Sequence, residues 1–325
     1  MSPSRTTSVG FGMSISFDGQ VAVVTGAGGG LGRAYALDLA RRGAAVVVND
    51  VAGLEGPSGP AADVVVAEIK GAGGIAVASY DSVATVDGGR AIIETAVQCF
   101  GTVDAVIHNA GVWRHVFYDE MTPEQLDPVL DVHLRGAFFV TQPAWEIMRR
   151  KEYGRIVLTS SGAGAFGREK GTNYVAAKAG VLGLGRALGL EGARHGIFCN
   201  CILPIAPFNR GRPGDPHVTA EVLKTGLSPD SGPEQVTPIV VYLASAACQV
   251  SGEAFSAGGG RYARVFIGVA RGWLSPPHVV ATAEEIGDHL GLIENLDGFT
   301  VPSSVWDELR DIGLAYQSRE SPAGA

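Results

Sequence analysis

From Gln20 onward, short runs of apolar, largely β-branched residues alternate with longer stretches whose apolar positions recur every three or four residues. The short runs read as strands buried on both faces, and the longer stretches as helices laid over them. The pattern predicts strands at Val21–Thr25, Ala45–Asn49, Ile75–Ser79, Ala105–His108, Arg155–Thr159, Ile197–Leu203 and a short last one at Glu253–Ser256. It predicts helices at Leu31–Arg42, Ala62–Gly71, Val86–Phe100, Thr122–Lys151, Asn173–His195 and Pro233–Ala246. Seven strands separated by helices imply an α/β fold built on a doubly wound parallel sheet. Beyond Gly260 the alternation stops. Residues 261–325 read as a helical C-terminal extension packed on the 17–260 domain and frayed from Gln317, and residues 1–16 as a disordered lead-in. Gly53–Pro60 and Pro204–Pro216 are Gly/Pro-rich loops, the second placed to act as a lid.

Composition narrows the class. Of 325 residues, 46% are hydrophobic and 18% charged, enough to fill a sizeable core. The 46 glycines follow no fixed period, as separate tight strand-to-helix connections require. A net charge of −8 with no basic cluster speaks against a nucleic-acid partner. Cys99, Cys199, Cys201 and Cys248 form no Cys-x-x-Cys pair and no zinc-ligand spacing, so no metal site is expected. They read as small buried hydrophobes of a reducing compartment, with Cys199 and Cys201 on one face of a strand. No apolar stretch is long enough to span a bilayer, and Met1–Met13 has no apolar leader core. The expectation is a soluble, cytoplasmic protein with no membrane partner.

The chemistry gathers at strand ends. Thr25-Gly-Ala-Gly-Gly-Gly-Leu-Gly32 joins the first strand to the first helix. Backbone at Gly26, Gly28, Gly30, Leu31 and Gly32 can approach a pyrophosphate there, at the positive end of the helix dipole. Asp50 closes the second strand, where a carboxylate accepts from a ribose 2′-OH and repels a 2′-phosphate. That selects NAD over NADP, the alternative being a plain turn residue. Asp81 and Ser82 follow the third strand, placed to meet an adenine edge or simply to cap a helix. Asn109-Ala110-Gly111 follows the fourth, small enough for close backbone approach, with the Asn available to brace strands. These features make 17–260 a dinucleotide-binding catalytic domain. Tyr174 and Lys178, four apart on a predicted helix, share a face. An ammonium beside a phenol stabilises the phenolate and lowers a pKa ordinarily near ~10, which suits an acid–base catalyst. Ser161, at the end of Arg155-Ile-Val-Leu-Thr-Ser-Ser161, offers a hydroxyl for the substrate oxygen.

In this order and spacing the marks resemble the short-chain dehydrogenase/reductase family, whose sheet is of the Rossmann type, over nearly all of Phe17–Gly260. The resemblance implies that Tyr174 is the general acid/base, that Lys178 lowers its pKa and holds the nicotinamide ribose, and that Ser161 orients the reacting carbonyl or alcohol. Gly30-Leu-Gly-Arg-Ala-Tyr-Ala-Leu37, Val46–Asp50, Val132-His-Leu-Arg-Gly136 and Tyr153–Ser161 resemble more narrowly the (3R)-hydroxyacyl-CoA dehydrogenase unit of multifunctional enzyme type 2, also called a 17β-hydroxysteroid dehydrogenase. Val250–Gly260 and the segment after it extend the similarity. This implies an NAD-dependent oxidation of a (3R)-hydroxyacyl-CoA or steroid alcohol by a homodimer or homotetramer, pairing through the helices at Thr122–Lys151 and Asn173–His195.

Two positions depart from the wider family. His133 stands where an Asn usually anchors a relay water; His can hold a water or a proton, or be a buried structural residue. After the sixth strand the usual Pro-Gly becomes Pro204-Ile205, and Pro207 lacks an N–H for a carboxamide contact. Pro204 remains a cofactor-contact candidate. Arg261, Arg264 and Arg271 could meet coenzyme A phosphates or be solvated surface charges. An NADPH-dependent 3-oxoacyl or carbonyl reductase is the alternative activity, disfavoured by Asp50. A non-catalytic dinucleotide sensor is the alternative class, disfavoured by the intact Tyr/Lys pair.

Overall fold

The computed structural model describes residues 14–51, 55–56, 59–206, 224, 232–276 and 278–320, and the statements below concern these. Expectations for Met1–Met13, for Pro207 and most of the Pro204–Pro216 loop, and for part of Gly53–Pro60 lie outside them. Contacts divide the chain into two units, Met1–Arg264 and Val265–Ala325.

The main sheet has eight strands: β1 (Val21–Thr25), β2 (Ala45–Asn49), β3 (Ile75–Ser79), β4 (Ala105–His108), β5 (Gly154–Thr159), β6 (Ile197–Pro204), β7 (Ala254–Gly258) and β8 (Arg261–Val265). Their spatial order is β8-β7-β6-β5-β4-β1-β2-β3, and every pairing from β3 to β7 is parallel. Only seven strands are legible in the apolar pattern. The eighth is joined to β7 by Gly259 and Gly260 alone, both at positive φ (60° and 78°), so it turns back on its neighbour. A parallel neighbour would need a crossover, and paired positive φ values suit a tight hairpin.

The helices are α1 (Gly30–Arg41), α2 (Ala61–Gly71), α3 (Val86–Phe100), α4 (Pro123–Leu130), α5 (Gly136–Lys151), α6 (Gly162–Phe166), α7 (Thr172–Gly192) and α8 (Thr237–Ala244). The single helix expected over Thr122–Lys151 is broken by a π-helical stretch, Asp131–Arg135, just after Pro128, which has no N–H to donate. Strand alternation feeds two cores. Val24, Val46 and Val48 pack under α1, α2 and α8, while Val23, Val47 and Val106 point to α3, α5 and α7. β1 and β4 are neighbours although the chain leaves β1 toward β2, so the order reverses between them. The crevice beyond the carboxyl ends of β1 and β4 is where such a sheet binds ligands.

The second unit carries α9 (Ala283–Asp288), α10 (Leu290–Ile293) and α11 (Val305–Glu320). Fraying was expected from Gln317, but the helix continues to Glu320, with Ser304 Oγ 3.1 Å from Asp307 at its start. None of this unit's described side chains is buried: Val280, Leu296 and Trp306 are 92%, 72% and 70% exposed. No described helix is long and apolar enough to cross a membrane.

Candidate active site

The glycine loop is a tight cradle built against its neighbours. Gly26 sits at φ +62°, and a Cβ on it would lie 2.7 Å from the Ala110 Cα. A Cβ on Gly32 would collide with the Gly26 carbonyl oxygen, and one on Gly28 would meet Asp50 and Ala61 at 2.7 Å. Gly29, at the α1 N-terminus, has open space before it. Asn109 ties the loop down by donating from Nδ2 to the Thr25 and Gly26 carbonyls at 3.2 and 3.1 Å. Thr25 Oγ1 in turn accepts from the N–H groups of Asn109 and Ala110 at 3.0 and 3.1 Å. A bare backbone cradle at a helix N-terminus fits a pyrophosphate.

The flanking acids sit beside this loop. Asp50 Oδ2 accepts the Gly28 N–H at 2.9 Å and its Oδ1 accepts that of Val51 at 3.0 Å. A carboxylate is an acceptor of the kind a ribose hydroxyl needs. Asn49, buried, donates to the Asp81 carbonyl at 2.9 Å and fixes the turn after β3. Ser82 is half-buried, and its Oγ accepts the Ala84 N–H at 3.2 Å, the role of a local turn residue. Leu31 packs against the core beneath the loop, and Pro204 closes β6.

Tyr174, Lys178, Ser161 and His133 converge. The Lys178 ammonium lies 5.7 Å from the Tyr174 ring centre, and both residues are buried, at 3% and 6% exposure. Its Nζ donates to the Thr159 carbonyl at the end of β5. Ser161 caps α6, accepting the Ala163 N–H at 3.2 Å, and its hydroxyl is near enough to the phenol to favour the phenolate. Gly164 lets α6 lie directly on α7, because a Cβ there would be 2.6 Å from the Lys178 backbone. His133, on the π-helical stretch, meets the Tyr174 ring edge-on at 5.1 Å. Gly111 makes room for it: a Cβ there would lie 2.6 Å from the His133 ring.

Burial dominates the electrostatics. It pulls the Lys178 ammonium down to about 7 and pushes the Tyr174 phenol above its ordinary value, against the Ser161 hydrogen bond and the Arg168 charge. The expected lowering of the phenol is not what the fold produces: desolvation outweighs the two opposing influences, the Ser161 hydrogen bond and the Arg168 charge. Burial, then the Lys178 charge, also lowers both imidazoles, His108 to about 3 and His133 well below its usual value. Both are neutral. For His108 the tautomer follows, since Thr25 Oγ1, already accepting twice, donates to Nδ1 at 3.3 Å and Nε2–H donates to the Val132 carbonyl at 3.3 Å. His133 Nε2 lies 2.8 Å from the Val112 carbonyl, while its buried Nδ1 has no partner.

Three residues of this cluster were not singled out as site residues from the sequence. Trp113 stacks on Tyr174 at 4.3 Å. Arg168 sits over the Trp113 ring at 5.7 Å. Asn173, buried, accepts the Tyr174 N–H at 2.7 Å and donates to the Gln125 carbonyl at 2.7 Å, locking the start of α7 to α4. Only Asn173 was findable, as a polar residue at a helix start. Of the three arginines weighed for phosphates, Arg264 is held by both Glu253 oxygens, at 2.5 and 2.7 Å. Arg271 packs against Gly298, and Arg261 is exposed. Among the described residues no His/Cys/Asp/Glu group could hold a metal.

The family model for short chain dehydrogenases matches residues 20–206. The peroxisomal hydratase-dehydrogenase-epimerase of Saccharomyces cerevisiae is 46% identical over 255 residues, covering 78% of this chain and 27% of that protein. A hydroxyacyl-CoA dehydrogenase of Mycobacterium tuberculosis is 38% identical over 274 residues, 80% of this chain and 81% of that one. The solved full-length peroxisomal multifunctional enzyme type 2 of Drosophila melanogaster superposes with a TM-score of 0.76 at 33% identity, over 95% of this chain and 51% of that one. The chain thus spans well under two thirds of the yeast and fly proteins.

Proposed function

We propose that this chain, which belongs to the short-chain dehydrogenase family, oxidises the 3-hydroxyl of a (3R)-3-hydroxyacyl-CoA, or a steroid alcohol of similar geometry, using NAD. The observation that carries the reading is the meeting of buried Tyr174 and Lys178 with half-buried Ser161 at the carboxyl end of the sheet, alongside the glycine cradle. The acyl-CoA substrate class is supported by the name of the M. tuberculosis relative. NAD rather than NADP is supported by Asp50, whose carboxylate borders the cradle at Gly28. Bound in that cradle, NAD supplies the carbon that accepts the hydride.

The residues divide the remaining work. Ser161 holds the substrate oxygen, and Tyr174 takes the hydroxyl proton as the carbonyl forms. Lys178 would hold the nicotinamide ribose, and Ser161 and Arg168 favour the phenolate so produced. A phenol pushed up by burial keeps its proton near neutrality, so alcohol oxidation gains with rising pH and carbonyl reduction with falling pH. His133, neutral and enclosed, holds a water on its unpartnered Nδ1, the atom that favours a relay role over a purely structural one. Homo-oligomerisation is supported by exposed apolar side chains of the second unit such as Val280, Leu296 and Trp306, and a cytoplasmic setting by four unpaired cysteines. Light scattering showing a monomer would contradict the former.

The test is a matched panel. With NAD, the purified protein should oxidise (3R)-3-hydroxyacyl-CoA esters, leave the 3S epimers untouched, and use NADP at least ~10-fold less efficiently. Preference for NADPH-linked reduction of 3-oxoacyl esters would favour the reductase reading.

A further inference from the structure

Trp113 and Arg168 come from different loops and meet over the catalytic phenol. Trp113 belongs to the loop after β4 and lies face to face with Tyr174, ring centres 4.3 Å apart and planes 25° from parallel. Its indole also lies parallel to His115 at 5.3 Å. Arg168, in the loop between α6 and α7, places its guanidinium 5.7 Å from the indole centre. It is held there by Nη2, which donates to His115 Nδ1 at 2.6 Å and to the Lys170 carbonyl at 2.9 Å. The charge therefore lies within about 10 Å of the phenol ring, the 5.7 and 4.3 Å legs laid end to end.

We propose that Arg168 is a positioning residue for Tyr174, supplying across the Trp113 ring a fixed positive charge that favours the phenolate. The inference rests on Tyr174 being the general base of the proposed reaction. Among the described residues, the groups around Tyr174 come from several elements. Lys178 comes from its own helix, His133 from the π-helical stretch, Ser161 from the start of α6, and Trp113, backed by His115, from the loop after β4. Arg168 reaches the Trp113 ring from the loop before α7, and α4 contributes apolar Val129 and Leu130 to the packing around the phenol. Of these, His133 is neutral and burial pulls the Lys178 ammonium down to about 7, whereas the proposed alcohol oxidation gains with rising pH. Arg168 stays charged throughout, because a guanidinium does not lose its proton over that rise. The Trp113 ring, itself 48% exposed, stands between the guanidinium and the buried phenol, and a charge within about 10 Å at the edge of a protein still acts on a buried group.

The experiment follows kcat/KM for alcohol oxidation against pH in the parent protein and in Arg168→Met, Arg168→Lys and Tyr174→Phe. Arg168→Met is expected to move the rising limb up by about one pH unit, so that activity at pH ~7 falls about tenfold and converges with the parent at high pH. Arg168→Lys, which keeps the charge, should restore most of that shift. Phenolate absorbance of the protein without substrate, corrected by subtracting the Tyr174→Phe titration, should show the same displacement. A limb and absorbance titration unmoved in Arg168→Met, with Tyr174→Phe inactive, would overturn the inference and leave the proposed reaction standing. A uniform loss at every pH would equally overturn it, as a structural role predicts. Activity surviving in Tyr174→Phe would instead overturn the reaction.

Discussion

At the scale of single residues, Lys178 shows how burial and charge compete. Its ammonium has one carbonyl partner, Thr159, and is otherwise enclosed, which brings its value from 10.5 to about 7. Between those two values the unfolded chain holds a proton that the folded chain has released, so stability rises with pH across that window. Below it the full cost of the buried charge is present. Lys178→Met is accordingly expected to be more stable than the parent by ~1–3 kcal/mol at pH ~6, the gain shrinking by pH ~10. Denaturant titrations at the two pH values check this; equal stability at both would be the contrary result. Tyr174, Lys178, Ser161 and the glycines were legible because four-residue spacing and strand-end position survive in one dimension. The direction of the Tyr174 shift was not. It depends on how completely the fold encloses the ring, and Trp113 and Arg168 contribute through contacts between loops that no spacing encodes.

Among the elements, the short helix α6 and the π-helical stretch before α5 set the site, and neither was expected. α6 is only Gly162–Phe166, too short to leave an amphipathic trace, yet it delivers Ser161 to the phenol. Its approach depends on Gly164, where a Cβ would stand 2.6 Å from the α7 backbone at Lys178. Gly164→Ala should therefore push Ser161 off Tyr174 and lower kcat about tenfold or more with little change in cofactor affinity. Turnover and cofactor titration distinguish this from general damage, and unchanged kcat would show that α6 is not the positioning element. The π-helical stretch has an equally local origin. Pro128 removes a donor just upstream, and the inserted residue turns His133 inward against Tyr174. The long strands and helices were legible because β-branched runs and three-to-four-residue periodicity report burial directly. β8 was hidden because its half-exposed residues, including Tyr262 and Arg264, lack an apolar run.

For the molecule as a whole, the doubly wound sheet fixes where chemistry can occur. The strand order reverses between β1 and β4, and the glycine loop, Asn109 and the Tyr174 cluster all lie at strand carboxyl ends. Sequence predicted this architecture because alternation of strand and helix admits few other topologies. It said less about residues 265–320, where every described side chain is exposed or half-buried. The central claim is that the buried phenol of Tyr174 moves the proton in an NAD-linked alcohol oxidation. Initial-rate assays of NADH formation from a (3R)-3-hydroxyacyl-CoA, comparing the parent with Tyr174→Phe, test it most directly. The account predicts steady turnover in the parent and a loss of at least ~100-fold in the variant, with cofactor binding and folding intact. Comparable rates from the two proteins would contradict it.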